Sequence, residues 1–470
     1  MSNPLLEKSA LPLQAPPFDL FKFEHFEPAF KTGMAMQIEE INAIKGDSSE
    51  PTFENTILSL EKSGQAFLRS RLVFDNMCAS NTTPEMQKLQ EAYAATFAAH
   101  IDRIFLDEEL YGRVHSVFLK ISELSGEEAK LTDYYEKEFC KAGANLPPNE
   151  KEEIKKINER LASLEAAFGN LLLAAREDGA VFFDSADDLA GLEEEDINKA
   201  REDAERLGHN GKFALILTNT TQQPITAFLH NQESRKKIFE ASTSRAEQKG
   251  GLDTRPLLEE IANLRLDKAH LCGKECFTDY VMQDRMATQE TAIALMEEMG
   301  HLAEEKFEEE LAEVRQTVGV DKVEPWDWLY YSEQTRKTKY DIDENKLSEY
   351  FELNSVLEKG VFYVAENLYG LKFCKTTEFP VYQEDVTVYK VLEESGEVIA
   401  LFYLDPFSRS NKQGGAWMSN FVEQTSELGQ KPVVVNVTNF PKPKAGRPCL
   451  LTFRNVVTLF HEFGHGFTVC

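Results

Sequence analysis

No stretch of the 470-residue chain approaches the ~18 consecutive apolar residues of a membrane-spanning helix, so none is expected. Cysteine is scarce. Seven residues, at positions 78, 140, 272, 276, 374, 449 and 470, are odd in number and scattered, which points to reduced thiols in a reducing compartment and not to a disulfide framework. Cys272 and Cys276 form one close pair, but the spacing is wrong for a thioredoxin-type motif and no second pair completes a zinc site. Positive charge is also short. Against 80 Asp and Glu stand 51 Lys and Arg, and the net charge of −29 argues against nucleic acid and anionic membrane as partners. The first residues, Met1 to Lys8, hold no basic segment followed by an apolar one, so no secretory signal is expected. A cytoplasmic, monomeric protein is the expectation. Internal repeats and low-complexity tracts are absent as well.

The hydrophobic content of 42% is ample for a large core in two or three units. The pattern along the chain divides it into a helical region over 1–150, a helical middle region with short strands over 151–375, and a region over 376–470 in which a small sheet precedes a last helix. Pro4, Pro12, Pro16 and Pro17 make residues 1–20 an extended arm. Helical patterns follow from Glu27, from Pro51, and from Thr83-Pro84, a cap followed by a residue suited to the first turn. His100 and His115 lie in helical stretches without a companion ligand and read as structural. After Pro147-Pro148, Ile154, Ile157, Leu161, Leu164, Phe168 and Leu171 step by three and four, predicting a core-packed helix. Ala180–Phe183 and Lys212–Leu217 read as short strands, with an acidic helix from Glu193 between them. Helices resume from Pro224 to Val318, with Gly250-Gly251 as a break and Gly319 as a stop. From about Glu378 the period becomes β. Val386–Val391, Glu397–Tyr403 and Pro432–Val437 predict a small sheet.

One stretch carries recognisable chemistry: His461-Glu462-Phe463-Gly464-His465. On a helix of 3.6 residues per turn, His461 and His465 project from one face. Two such imidazoles can bind one Zn²⁺, with Glu462 as general base on the attacking water. Thr452 is the expected N-cap, and Val456, Val457, Leu459, Phe460, Phe463 and Phe467 give the helix apolar surface. The competing interpretation is a buried helix whose histidines hydrogen-bond to neighbours. Gly414-Gly415-Ala416-Trp417 is a candidate substrate-binding element. A glycine pair lets another backbone approach, for example a peptide adding along a strand, and a plain turn is the equal alternative.

Several longer segments widen the view: Asn3–Leu6, Ala15–Asp19, Glu24–Phe30, Asn219–Pro224, Pro325–Trp328, Tyr350–Gly360, Gly414–Val422 and Leu459–His465. Together the chain resembles the thimet-oligopeptidase-like zinc metallopeptidases, especially their bacterial peptidyl-dipeptidase branch. The resemblance implies a mainly α, multi-helical, clam-like enzyme, here with a small β-sheet next to the zinc-motif helix. It implies one Zn²⁺ per chain on His461 and His465, Glu462 as general base, short peptides as substrates and release of C-terminal dipeptides. It also implies a third ligand, a Glu, farther along on another helix. The chain runs five residues past His465. The expectation is therefore a truncated or split product that lacks the third protein ligand and binds zinc weakly. Phe460, Phe463 and Phe467 would then form an exposed patch. The alternative is a non-catalytic fragment that binds peptide or pairs with a separate C-terminal piece.

Overall fold

The computed structural model describes residues 3–217, 224–248, 252–340, 344–444 and 446–469. Asn219–Gln223, the Gly250-Gly251 pair and Cys470 lie outside the described residues. The chain forms two compact units. Unit 1 comprises Met1–Ala166, His270–Gly273 and Ser348–Cys470, and unit 2 comprises Ala167–Ala269 and Lys274–Leu347. Positions 150 and 375, where the pattern changes, both fall within segments of unit 1.

Unit 1 begins with the proline-rich arm, which makes only a short 3₁₀ turn at Pro12–Gln14. Its Leu5 and Ala15 are fully buried, and Phe18 meets Tyr382, Tyr403 and Phe421 edge-on. Helices Phe23–Gly46, Gln65–Ser80, Pro84–Phe105, Glu108–Phe118 and Gly126–Ala142 follow. Thr83 caps the third, its side chain accepting from the Met86 N–H at 3.2 Å, with Pro84 in the first turn as expected.

The later part of unit 1 is a five-stranded sheet: β1 (Lys372–Thr376), β2 (Thr387–Leu392), β3 (Val398–Phe407), β4 (Trp417–Val422) and β5 (Val433–Phe440). The spatial order is β1-β2-β3-β5-β4, antiparallel except for the β3–β5 pair. Side chains alternate across a strand. Val433, Val435 and Val437 of β5 pack with Phe26, Phe30 and Phe74 of the N-terminal helices. Val434, on the other face, packs with Phe402, Leu404 and Leu459, the last from the helix Phe453–Val469 that carries the two-histidine motif. The sheet therefore lies between the N-terminal helices and the motif helix. β1 and β4 were not legible beforehand. Both are end strands, and β1 is mostly exposed, so neither shows a clean apolar alternation.

Unit 2 takes the end of the helix Pro148–Asp178, the two-stranded ladder Val181–Phe183 with Phe213–Leu215, and helices Glu194–Arg206, Gln232–Thr243, Gln289–Val318 and Trp328–Tyr340. Gly319 ends the long helix at φ +73°, as the stop signal predicts. Ile293, Leu295, Met296, Met299 and Leu302 of that helix are exposed.

Candidate active site

The motif helix starts where its sequence says it should. Thr452 Oγ1 accepts from the Asn455 N–H at 3.2 Å, and the Val456 N–H bonds back to the Thr452 carbonyl at 3.0 Å. Phe463 is held among Phe362, Phe373 and Phe402, with ring centroids 5.5–6.0 Å away, and Phe467 stacks on Tyr369 at 4.2 Å. The expected three-phenylalanine exposed patch is thus corrected. Only Phe460 is exposed, and its ring lies over Gly360, where an added Cβ would come within 3.2 Å of it. Phe463 and Phe467 sit on the stripe facing the sheet and are half-buried there.

His461 and His465 lie on the opposite, exposed side. Their Nε2 atoms converge to 3.1 Å, and the rings meet near-perpendicular with centroids 4.7 Å apart. No other hydrogen-bond partner of either ring is present among the described residues, so the alternative of two histidines bonded to buried neighbours finds no support. Two nitrogens each ~2.0–2.1 Å from a tetrahedral zinc stand roughly 3.3 Å apart, so the observed pair fits one metal. No cluster of three or more His, Cys, Asp or Glu with metal-holding geometry occurs among the described residues. Glu462 is buried, 7% exposed, and lies one turn before Gly466 on the sheet side of the helix. Gly466 is needed there, because an added Cβ would stand 3.0 Å from Asn436 Oδ1 on β5. That Asn436 is fully buried, and neither of its amide atoms has a hydrogen-bond partner.

The Gly414–Trp417 segment enters β4, the end strand, and the motif helix packs against both β5 and β4. Gly414 is exposed and Gly415 holds φ +98°, a left-handed conformation that favours glycine. No atom approaches an added Cβ at Gly415 within 4 Å, so conformation and not a close backbone requires it. The Trp417 side chain packs on the N-terminal-helix face of the sheet, away from the motif helix. Asn76 Nδ2 donates to the Asn420 carbonyl at 2.9 Å, and a strand carbonyl bonded outside its ladder points away from the paired neighbour.

Sequence reading missed the groups that hold this region. Asp405, fully buried in β3, accepts from Arg409 through both oxygens at 2.7 and 2.6 Å, from Lys412 at 2.9 Å and from Tyr382 at 2.8 Å. Burial would raise the Asp405 carboxyl, but the Arg409 hydrogen bonds and the Lys412 and Arg409 charges hold it below the usual range. Burial pulls Lys412 down to about 8 despite Asp405. The clue was a lone aspartate inside the apolar run Ala400–Phe407, with two cations within seven residues.

Residues 227–468 match the profile of Peptidase family M3. The chain is 40% identical over 470 residues to a dipeptidyl carboxypeptidase of Escherichia coli, covering 98% of this chain and 69% of that protein. The chain belongs to Peptidase family M3. Its lineage is therefore that of metallopeptidase enzymes. An oligopeptidase A of Salmonella typhimurium is 29% identical over 483 residues, covering 99% of this chain and 70% of that protein. Among solved structures, a PZ peptidase A bound to an inhibitor superposes with a TM-score of 0.50 at 13% identity, over 96% of this chain and 64% of that one. That likeness agrees with the mainly α architecture. This M3 chain thus spans about two thirds of the length of these relatives. No helix among its described residues is long and apolar enough to cross a membrane.

Proposed function

We propose that this M3 chain is the zinc-binding and peptide-receiving part of a metallopeptidase that removes dipeptides from the C-termini of short peptides. The observation that carries the reading is the convergence of His461 and His465 Nε2 to 3.1 Å on the exposed side of the motif helix. His461 and His465 are the proposed zinc ligands. Zinc bound there supplies a Lewis acid that polarises the scissile carbonyl and acidifies the attacking water. Glu462 takes the water's proton on its carboxylate as attack proceeds and passes it to the leaving amine. A peptide substrate pairs with the open side of β4. In an antiparallel strand, alternate residues aim N–H and C=O at the same side. The Asn420 carbonyl, taken by Asn76, marks the even positions as outward, so Ala416 and Met418 offer main-chain groups to the peptide. The dipeptide-releasing specificity rests on the 40% identity to a dipeptidyl carboxypeptidase. Free thiols suit a reducing compartment, and the cytoplasm is the proposed place of action.

A second reading rests on the donor count. Only two candidate metal ligands come together among the described residues, so the chain alone holds zinc weakly and pairs with a separate polypeptide that supplies a third. Zinc titration by calorimetry separates the two. Under both, His461→Ala abolishes binding while the thermal midpoint of the metal-free chain hardly moves, because the ring is exposed. A wild-type dissociation constant at or below ~1 nM together with zinc-dependent release of dipeptides, lost in Glu462→Gln, supports the first reading. Micromolar binding without cleavage supports the second. Unchanged zinc binding in His461→Ala would reject the motif as the site.

A further inference from the structure

We propose that Asn439 is a positioning residue for the peptide-receiving edge, and that the buried Asp405 cluster anchors the far end of the same loop. The inference rests on the reading that a peptide pairs with β4.

The loop of residues 408–416 joins β3 to β4. Near β4, Asn439 spends both hydrogens of its side-chain amide on this loop. Nδ2 donates to the Gln413 carbonyl at 2.8 Å and to the Gly415 carbonyl at 2.7 Å. Asn439 stands on β5 two residues beyond Val437, the partner of Trp417. Its side chain therefore continues the β4–β5 ladder past the last main-chain pair, with an amide standing in for backbone. The carbonyls at 413 and 415 are turned toward β5, which leaves Ala416 to face outward. Gly415 makes this possible, since φ +98° bends the chain back into the strand.

The other end of the loop is fixed to buried structure. Arg409 bridges Asp405 and the Ser80 carbonyl. Lys412, fully buried, donates to the Asp405 and Phe407 carbonyls and to the Asp405 carboxylate at 2.8–3.0 Å. Asn411 Nδ2 donates to Asn81 Oδ1 and to the Thr82 carbonyl, the Thr82 N–H donates back to the Asn411 carbonyl, and the Gln413 N–H meets the Ala79 carbonyl at 2.8 Å. A loop held at both ends before ligand arrives loses little freedom on binding, so more of the main-chain pairing energy appears as affinity. The ligand class follows. The edge takes an extended segment through its backbone N–H and C=O groups and tolerates varied side chains, but it rejects a segment whose paired N–H is missing.

The test uses the 470-residue chain, a fluorescein-labelled unstructured octapeptide, and hydrogen exchange read by mass spectrometry. Asn439→Asp keeps the side-chain shape but removes both donors. Affinity is expected to fall about 10-fold, exchange at 413–418 to rise in the free protein, and the thermal midpoint to stay near wild type. Asn439→Ser, with one donor, should fall between. Asp327→Asn, which breaks a buried ion pair in unit 2, should lower the thermal midpoint and leave affinity alone. As a check without substitution in the protein, methylating one main-chain nitrogen of the peptide at a time should find a position that costs about 10-fold in binding to wild type. If the peptide does not protect Trp417–Asn420 of wild type, the β4 reading fails. If it does, and Asn439→Asp binds as tightly with unchanged exchange, the positioning role is overturned on its own.

Discussion

Each unit buries a fully enclosed carboxylate paired with arginine, Asp405 in unit 1 and Asp327 in unit 2, and the two are balanced differently. In unit 2, Arg235 and Asp327 pair one to one. Arg235 donates twice to Asp327 Oδ1 at 2.8 and 2.6 Å and through Nη1 to the Leu229 and His230 carbonyls, while its face lies 4.1 Å from the Tyr330 ring centre. Gln232 occupies the second Asp327 oxygen. In unit 1, Asp405 answers two cations, and the buried Nε of Arg409 has no partner. A matched cluster fastens helix Gln232–Thr243 to the turn at Pro325–Asp327. The mismatched one holds a loop whose shape matters more than its own stability. Buried ion pairs seldom outperform apolar packing, so an unbalanced one is better explained by the conformation it fixes.

The largest way to break the comparison is to remove each carboxylate. Asp327→Ala strands one cation and should cost about 3–5 kcal/mol in unit 2. Asp405→Ala strands two and should cost more, in unit 1. Urea unfolding followed by hydrogen exchange resolved along the chain would assign each loss to its unit. A smaller effect separates the clusters by pH. Lys412 titrates near 8 in the folded chain against a usual 10.5. Between those values the unfolded state keeps a proton that the folded state has released, so stability rises with pH across that window. Lys412→Met should remove that rise, visible as a flatter plot of urea midpoint from pH 8 to 10. The smallest effect concerns Asn436. Replacing its unpaired amide in Asn436→Leu should stabilise unit 1 by about 1 kcal/mol, measured by thermal melt, if the leucine fits beneath Gly466.

What could be read beforehand divides along physical lines. The motif helix, its Thr452 cap, the Pro84 start and the Gly319 stop were legible because each depends on neighbours within one or two turns. Three strands declared themselves by runs of β-branched and aromatic residues at Val386–Val391, Glu397–Tyr403 and Pro432–Val437, and the observed strands lie on them. β4 did not, because its burial on one face comes from the N-terminal arm and from helix Gln65–Ser80, both distant in sequence. The same holds for Asn439, whose two acceptors lie more than twenty residues upstream. His100 shows the converse. Read as structural, it is buried with Nε2 against Gln37 Oε1 at 2.7 Å, and burial, with Arg103 nearby, pulls it down to about 4.

The interleaving of unit 1 along the chain has a consequence for synthesis. Phe18 belongs beside Phe421, so an aromatic side chain made early waits for one about 400 residues later. At about 5–20 residues per second that wait is on the order of half a minute. Unit 2, nearly continuous in the chain, is complete by Leu347 and can settle first. Phe26, Phe30 and Phe74 meanwhile have no sheet to cover them. The nascent chain thus carries an uncovered aromatic surface until the sheet is made, and chaperone demand should peak before the codons for β5 are read.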